Sequence, residues 1–168
     1  LSLYLSMLKS AIRNRKDENN IEIIQTDVNF FDSAFISDVY MPSTVERLKI
    51  YKLIYDADTH IDIQKIKYFL EDTCGGIPLE TENLLKNATI NQMIGDLQIP
   101  KLTSSSEITS IQLGESVTDK TILWLLEIVK TDQSIYSFDS KNRFNIRLIE
   151  SNGSIRRDKV IKLLDDLL

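Results

Sequence analysis

The hydrophobic positions of this chain predict helices through its middle. Between residues 43 and 100, apolar residues recur every three or four positions, which is the spacing of one helix face. Ser43 and Thr59 precede the first two of these runs, and each is followed three residues later by an acid that completes a capping pattern. Cys74-Gly75-Gly76 ends the second run, because glycine adopts the left-handed stop conformation cheaply. A third helix is predicted from near Pro78 to Pro100.

The flanking parts of the chain carry different patterns. Residues 1–12 have helical apolar spacing, and residues 21–31 alternate β-branched and aromatic side chains as a strand does. A polar loop is predicted at 103–106, followed by a strand at 107–113 and a helix capped by Ser116. Residues 136–138 and 144–149 read as a hairpin, and Ser151-Asn152-Gly153 leads into a final helix.

These elements predict an α+β fold in a single domain. We expect a helix-rich chain with about six helices and a small, mostly antiparallel sheet. Because the chain opens inside a helical pattern and lacks an initiator Met, we also expect it to be a piece of a longer protein. Residues 1–20 would form a helix and a charged linker, and residues 21–168 would form the domain itself.

The composition argues against several classes of protein: nucleic-acid-binding proteins, disulfide-linked or zinc-binding domains, and membrane proteins. The 168 residues include 20 basic and 25 acidic side chains, giving a net charge of −5, which does not favour binding to phosphate backbones. With one Cys and one His, the chain forms no internal disulfide, no CxxC pair and no two-histidine metal site. No apolar run approaches the length of a membrane span, so we expect a cytoplasmic protein with no membrane partner.

The glycines are not spaced as they are in nucleotide-binding motifs. The five glycines do not form a GxGxxG or a GxxxxGK[ST] motif, so backbone amides are not clustered around a phosphate in the usual way. There is no GxSxG nucleophile motif either. The sequence therefore predicts a binding domain rather than an enzyme, with no catalytic residue, no metal and no cofactor in this part of the chain.

Two alternatives start from individual residues. His60 is the only side chain that titrates near neutrality, so a small acid–base enzyme would use it with Asp58 or Asp62. Arg156, Arg157 and Lys159 are able to contact phosphate in a nucleic-acid accessory domain, although such charges on a helix are usually solvent-facing. Cys74 follows a helix C-terminus, where the dipole disfavours a thiolate, so a packed thiol is expected.

Several short segments of the chain are similar to motifs of one bacterial protein family. Leu3-Tyr4-Leu5 with Met7-Leu8 is similar to its L-Y-L-x-M-L. Tyr40-Met41-Pro42 and the following Arg47-Leu48 and Tyr51-Lys52 resemble its Y-I-P and R-L-x-x-Y-[KR]. The segment 72–78 is similar to D-R-F-G-x-[IL]-P, residues 83–85 match N-L-L, and 97–99 lie where the family has L-G-I. Because these matches keep their order and spacing from Leu3 to about Leu102, the chain resembles the bacterial transcription-repair coupling factors (Mfd), in which the first of these motifs follows the motor.

The resemblance implies a non-catalytic C-terminal regulatory domain. In that family the parent protein removes RNA polymerase stalled at DNA lesions with an ATP- and Mg-dependent double-stranded DNA translocase, and recruits the repair protein UvrA through a UvrB-like module. The C-terminal domain packs on that module and masks its UvrA-binding surface. We therefore expect no cofactor in this part of the chain, an intramolecular UvrB-like partner, and a monomer when the domain is isolated.

The resemblance also implies where the contact lies. The family's acidic E-L-x-D-R segment aligns with Phe69, Leu70, Glu71, Asp72 and Thr73. Leu70 and Asp72 match, whereas Phe69 stands in place of an acid, Thr73 in place of Arg, and Cys74 in place of Phe. Acids at a helix C-terminus are electrostatically unfavourable, so a solvated helix end or a basic partner is expected to offset that cost.

Overall fold

The computed structural model describes residues 25–168, which form five helices and five strands. The helices are α1 (Thr44–Asp56), α2 (His60–Cys74), α3 (Leu79–Asp96), α4 (Asp119–Thr131) and α5 (Gly153–Leu167). The strands are β1 (Asp27–Asn29), β2 (Lys101–Ser104), β3 (Thr109–Gln112), β4 (Tyr136–Phe138) and β5 (Arg143–Ile146). The described residues thus hold five helices rather than about six, because the helix predicted at 1–12 lies outside them.

The strands form a single mixed sheet in the order β1-β2-β3-β5-β4. Only β1 and β2 run parallel, with Val28 opposite Leu102, and the other three pairs are antiparallel. This arrangement confirms the prediction of an α+β fold with a small, mostly antiparallel sheet.

The two faces of the sheet differ in polarity. Leu102, Ile111 and Phe144 lie side by side on adjacent strands and are fully buried against α3, α4 and α5. Because successive side chains of a strand point to opposite faces, their neighbours Lys101, Gln112 and Arg143 lie on the other face. The helices therefore pack on one face, and the other face is polar.

The apolar core consists of two clusters. The sheet cluster joins the inner face of the sheet to α4, α5 and the C-terminal half of α3. The helical cluster joins α1, α2, the N-terminal half of α3 and the loop that precedes α1. In α3, Leu85 belongs to the helical cluster and Ile90 and Ile94 to the sheet cluster, so this one helix connects them.

The predicted start signals of α1 and α2 are confirmed. The Ser43 side chain accepts a hydrogen bond from the Glu46 backbone N–H, although the Glu46 carboxylate bonds Lys49. At α2, Thr59 and Asp62 form a complete capping box. Each cap satisfies backbone N–H groups that the first helical turn leaves without a partner.

Two predictions in the C-terminal part are wrong. The polar segment 103–106 is not all loop, because Thr103 and Ser104 belong to β2. The Ser104 hydroxyl is buried and lies 2.8 Å from that of Thr109, so two polar side chains satisfy each other on the inner face. The cap of α4 is Thr118 rather than Ser116.

Candidate functional site

The segment 69–73 occupies the last turns of α2. Leu70 is fully buried in the helical cluster, where it fixes the position of the segment, so its side chain is not available to a partner. Glu71, Asp72 and Thr73 are exposed, and Phe69 is 50% exposed. The structure therefore brings four of the five predicted residues to the surface and uses the fifth as their anchor.

The end of α2 is fastened to the loop before α1. The Tyr40 hydroxyl lies 3.1 Å from the Leu70 carbonyl oxygen in the last turn of α2 and 2.9 Å from the carbonyl oxygen of Gly75, the residue that follows the helix. Burial raises the pKa of the Tyr40 phenol, and the nearby Cys74 and Glu71 add to this. The phenol thus stays protonated, and its single proton is donated to one of the two carbonyl oxygens or shared between them.

A glycine terminates the helix immediately after the site. Gly75 has φ 84° and ψ −162°, a conformation that essentially only glycine adopts, and its N–H donates to the Glu71 carbonyl at 3.0 Å. The chain then turns towards Pro78 and α3. The backbone that carries Glu71 and Asp72 is therefore held by Tyr40 on one side and by this turn on the other.

The two carboxylates are neither hydrogen-bonded nor ion-paired within the described part of the chain, although Lys67, which is paired with Glu82, lies near enough to Glu71 to interact with its charge. Neither Glu71 nor Asp72 makes a side-chain hydrogen bond or an ion pair with any of residues 25–168. They also lie at a helix C-terminus, which carries partial negative charge of its own. The site can therefore accept charge-assisted hydrogen bonds from an arginine or lysine of a partner, and a guanidinium group fits two carboxylate oxygens best.

The structure does not bring His60 and Asp62 together as an acid–base pair. His60 is the first residue of α2, exposed, and makes no hydrogen bond to a described residue. The Asp62 carboxylate instead accepts from the backbone N–H groups of Thr59 and Asp58, each at 3.1 Å, and these bonds lower its pKa. The nearest acid on the helix is thus committed to capping.

The prediction that Arg156 and Arg157 face solvent is wrong. Both are buried, and Arg157 is 0% exposed, with its guanidinium bidentate to Asp32 at 2.5 and 2.7 Å. The same group lies 4.3 Å from the centre of the Phe30 ring and donates to Asn87. Only Lys159 of the proposed phosphate-binding trio remains exposed. Two of the three cations that a nucleic-acid interface would use are therefore not available to a ligand.

No local signal in the sequence marks this buried cluster. Asp32 and Arg157 are 125 residues apart, and the pattern of α5 alone does not distinguish a buried arginine from a solvated one. In the structure, Gly153 leaves room for this pair, because a Cβ there would overlap with the Asp32 carboxylate. The cluster ties the loop after β1 to α3 and α5.

Residues 25–168 contain no group of three side chains placed to hold a metal ion. None of the helices in that range is long and apolar enough to cross a membrane. A shallow depression lies on the polar face of the sheet and is lined by Lys101, Gln112 and Arg143, among others. The exposed end of α2 is thus the strongest candidate for a functional surface.

Comparison with known proteins assigns the chain to a family. The model of the TRCF domain family matches residues 32–122, which is more than half of the chain and includes α1, α2, α3 and the end of α2 described above. The chain belongs to the TRCF domain family. This finding agrees with the resemblance seen in the short motifs of the sequence.

The relatives of this TRCF domain are transcription-repair-coupling factors. The chain is 25% identical to the one from Haemophilus influenzae over 97% of its length, and 28% identical to the one from Escherichia coli over 84%. The relative from Borreliella burgdorferi is 29% identical over 76%. The chain spans only 15%, 13% and 12% of the length of these three proteins, respectively.

A solved structure shows the same fold. The crystal structure of the C-terminal domain of transcription-repair coupling factor superposes with a TM-score of 0.66, covering 84% of this chain and 93% of that one. The identity is 13%, so the likeness concerns the fold of the TRCF domain and not its individual contacts. The arrangement of helices on one face of a mixed sheet is thus shared.

Proposed function

We propose that this TRCF domain is the C-terminal, non-catalytic regulatory domain of a transcription-repair coupling factor that acts in transcription-coupled DNA repair. It docks on a UvrB-like module of the same protein and masks the surface that binds UvrA. Residues 1–20 connect it to a translocase that uses ATP and Mg, moves on double-stranded DNA and engages RNA polymerase. The isolated domain is a cytoplasmic monomer.

The observation that carries this proposal is the unpaired Glu71-Asp72 on a rigid helix end. A carboxylate that faces arginine across a partly buried interface makes directional, charge-assisted hydrogen bonds. Loss of one partner leaves the other uncompensated, which costs about 2–5 kcal/mol where the pair is buried. Such a contact holds a masked state and still yields when a rearrangement elsewhere favours the open one.

The experiment reverses the two charges in the full-length protein. The double variant Glu71→Arg/Asp72→Arg should bind UvrA more tightly, by about tenfold, because the masked state loses its contact. A matched control is Asp165→Arg/Asp166→Arg, which makes the same charge change at the exposed end of another helix, α5. The proposal is wrong if both double variants bind UvrA as the unchanged protein does, or if both bind more tightly to the same degree.

A further inference from the structure

The polar face of the sheet, on the side away from the helices, has a depression across its middle strands β2, β3 and β5. The side chains that line it are Lys101, Thr103, Ser110, Gln112 and Arg143. Lys101 and Arg143 both lie opposite Gln112 in the register, so the two cations are two strand spacings apart, about 10 Å between their backbones. The volume of the depression is about 150 Å³, which is less than the roughly 300–1,000 Å³ of pockets that hold drug-sized molecules. It therefore has room for one charged group rather than for a whole ligand.

Three of the lining side chains keep hydrogen-bond donors free. Arg143 uses its Nε to bond the Asp139 carboxylate at 2.7 Å, and its two terminal NH₂ groups bond no residue in the range 25–168. The Lys101 ammonium and the Thr103 hydroxyl likewise make no hydrogen bond or ion pair within that range. An arginine on β5 and a lysine and a hydroxyl on β2 therefore offer donors to the depression from two sides.

The other polar groups around the depression are used within the fold. The Gln112 amide donates to a carbonyl oxygen of the β4–β5 turn at 2.9 Å, and the Ser110 hydroxyl donates to the Asn145 side chain at 2.6 Å. Asn145 in turn donates to the Asp139 carboxylate at 3.0 Å, so the group that holds Arg143 is itself fixed. The guanidinium is thus oriented before a ligand binds, which lowers the entropic cost of binding.

The charges around the depression favour a single small anion. Lys101 and Arg143 have two acids near them: Asp139, which is bonded to Arg143, and Asp27 on the edge strand β1. Asp27 lies next to Lys101 in the register, but the two side chains form no ion pair, so the ammonium stays available. Because the whole chain carries a net charge of −5, an extended polyanion is repelled, whereas one anion between the two cations contacts both.

The arrangement of the donors selects a phosphate group. Guanidinium and ammonium groups make their strongest hydrogen bonds to phosphate and carboxylate oxygens. A carboxylate has two oxygens in one plane, whereas the tetrahedral oxygens of a phosphate accept from donors that approach from opposite sides and from a hydroxyl between them. None of the five lining residues is aromatic, so the site offers no ring on which a nucleic-acid base would stack.

We infer that this depression binds a phosphate group, with the Lys101 ammonium on one side, the terminal NH₂ groups of Arg143 on the other, and the Thr103 hydroxyl donating between them. Asp139 is a positioning residue, because it acts by holding Arg143. The site uses no residue of α2, so the inference is independent of the proposed docking. The phosphate belongs to a small phosphorylated molecule or to a nucleic-acid backbone, since both offer the same oxygens.

The test titrates the 168-residue chain with sodium phosphate while sodium chloride keeps the ionic strength constant. The backbone amide NMR signals of residues 101–103, 110–112 and 143 should shift and saturate. Lys101→Gln should weaken binding by about tenfold, because it removes one charge-assisted hydrogen bond. Arg143→Lys keeps the charge but loses the planar fork of donors, and should weaken binding by about threefold.

Two matched variants separate the site from general electrostatics. Lys159→Gln makes the same charge change as Lys101→Gln, but in an exposed lysine of α5, and should leave the affinity for phosphate unchanged. Asp27→Asn removes the acid beside Lys101 and leaves every donor in place, so it should tighten binding by about threefold. Circular dichroism checks that each variant keeps its fold.

Two further probes, adenosine monophosphate and a short DNA duplex, identify the source of the phosphate. Binding of adenosine monophosphate that Lys101→Gln weakens, with no binding of the duplex, supports the site and assigns it to a small molecule. Binding of the duplex that depends on Lys101 and falls steeply with salt supports the site and assigns it to a nucleic-acid backbone. The inference is overturned if none of the three probes gives saturating shifts. It is also overturned if Lys101→Gln and Lys159→Gln weaken binding equally, because the net charge alone would then account for it.

Discussion

The helical cluster around Leu70 places its ion pairs towards the surface, whereas the sheet cluster borders two buried arginines. In the helical region, Lys67 donates to Glu82 at 3.0 Å with both side chains partly exposed. In the sheet region, Arg157 is fully enclosed between Asp32, Asn87 and the Phe30 ring. The sheet region is therefore fixed by an ion pair whose arginine is fully buried, whereas the Lys67–Glu82 pair of the helical region lies near the surface.

The largest expected effect is the loss of the buried pair. Asp32→Asn keeps the volume of the side chain but removes the negative charge and turns an amide NH₂ towards the Arg157 guanidinium. Since this leaves the buried Arg157 charge uncompensated, while the Asp32 side chain itself is 29% exposed, we expect the free energy of unfolding to fall by about 3 kcal/mol, the low end of the range for a buried pair. Urea unfolding followed by circular dichroism measures it.

The control for this prediction is an exposed pair in the helical region. Glu46→Gln breaks the Lys49–Glu46 contact, in which both side chains are more than half exposed, and should change stability by no more than about 1 kcal/mol. Equal losses in the two variants would contradict the contrast between an enclosed sheet cluster and an open helical surface.

A pair of neighbouring glycines tests the helical side. Gly75→Ala should destabilise the protein by about 1–3 kcal/mol, because φ 84° with ψ −162° is strained for any residue that has a Cβ. Gly76→Ala meets nothing within 4 Å and has no positive φ, so it should alter stability by at most about 0.5 kcal/mol. Thermal unfolding of both variants compares them, and equal shifts would show that the turn after α2 is not strained.

The local signals of the sequence predict the helices well. Thr59 with Asp62 and Gly75 delimit α2 because capping and termination depend on residues within one turn of each end. The β4–β5 hairpin is likewise confirmed, since its turn residues lie between two apolar runs. The position of Glu71-Asp72 at an exposed helix end follows from the same local rules.

Long-range contacts are what the sequence does not predict. The segment 103–106 is polar enough to suggest a loop, but Ser104 finds a partner in Thr109 across the β2–β3 pair, and so is buried. The burial of Arg156 and Arg157 depends on groups as distant as Phe30 and Asp32. The carboxylates of Glu71 and Asp72 have no ion-pair partner among residues 25–168, so what they bind is a proposal that the local sequence pattern does not supply.

The smallest expected effect is the pH dependence of stability that comes from two acids, Asp139 in the sheet region and Asp62 in the helical region. The pKa of Asp139 lies well below its ordinary value of 3.8, because the Asn145 side chain above all, and also the Lys141 N–H and Arg143, donate to its carboxylate and together outweigh the opposing effect of burial. The pKa of Asp62 is lowered less. Because each carboxyl binds its proton more weakly in the folded state, each stabilises the fold above about pH 4, and this stabilisation is lost as the pH falls further.

We therefore expect Asp139→Asn to lower the melting temperature by a few degrees at pH 7. This loss should shrink as the pH falls below about 4 but should not disappear by pH 3, because the carboxyl of the folded protein is still ionised there. Asp62→Asn should lower the melting temperature less than Asp139→Asn at both pH values. Asp165→Asn is the control, because its side chain accepts no hydrogen bond from residues 25–168. A larger loss for Asp62→Asn than for Asp139→Asn at both pH values would reverse the order of the two regions, and would make the carboxylate that caps α2 the more stabilising of the two.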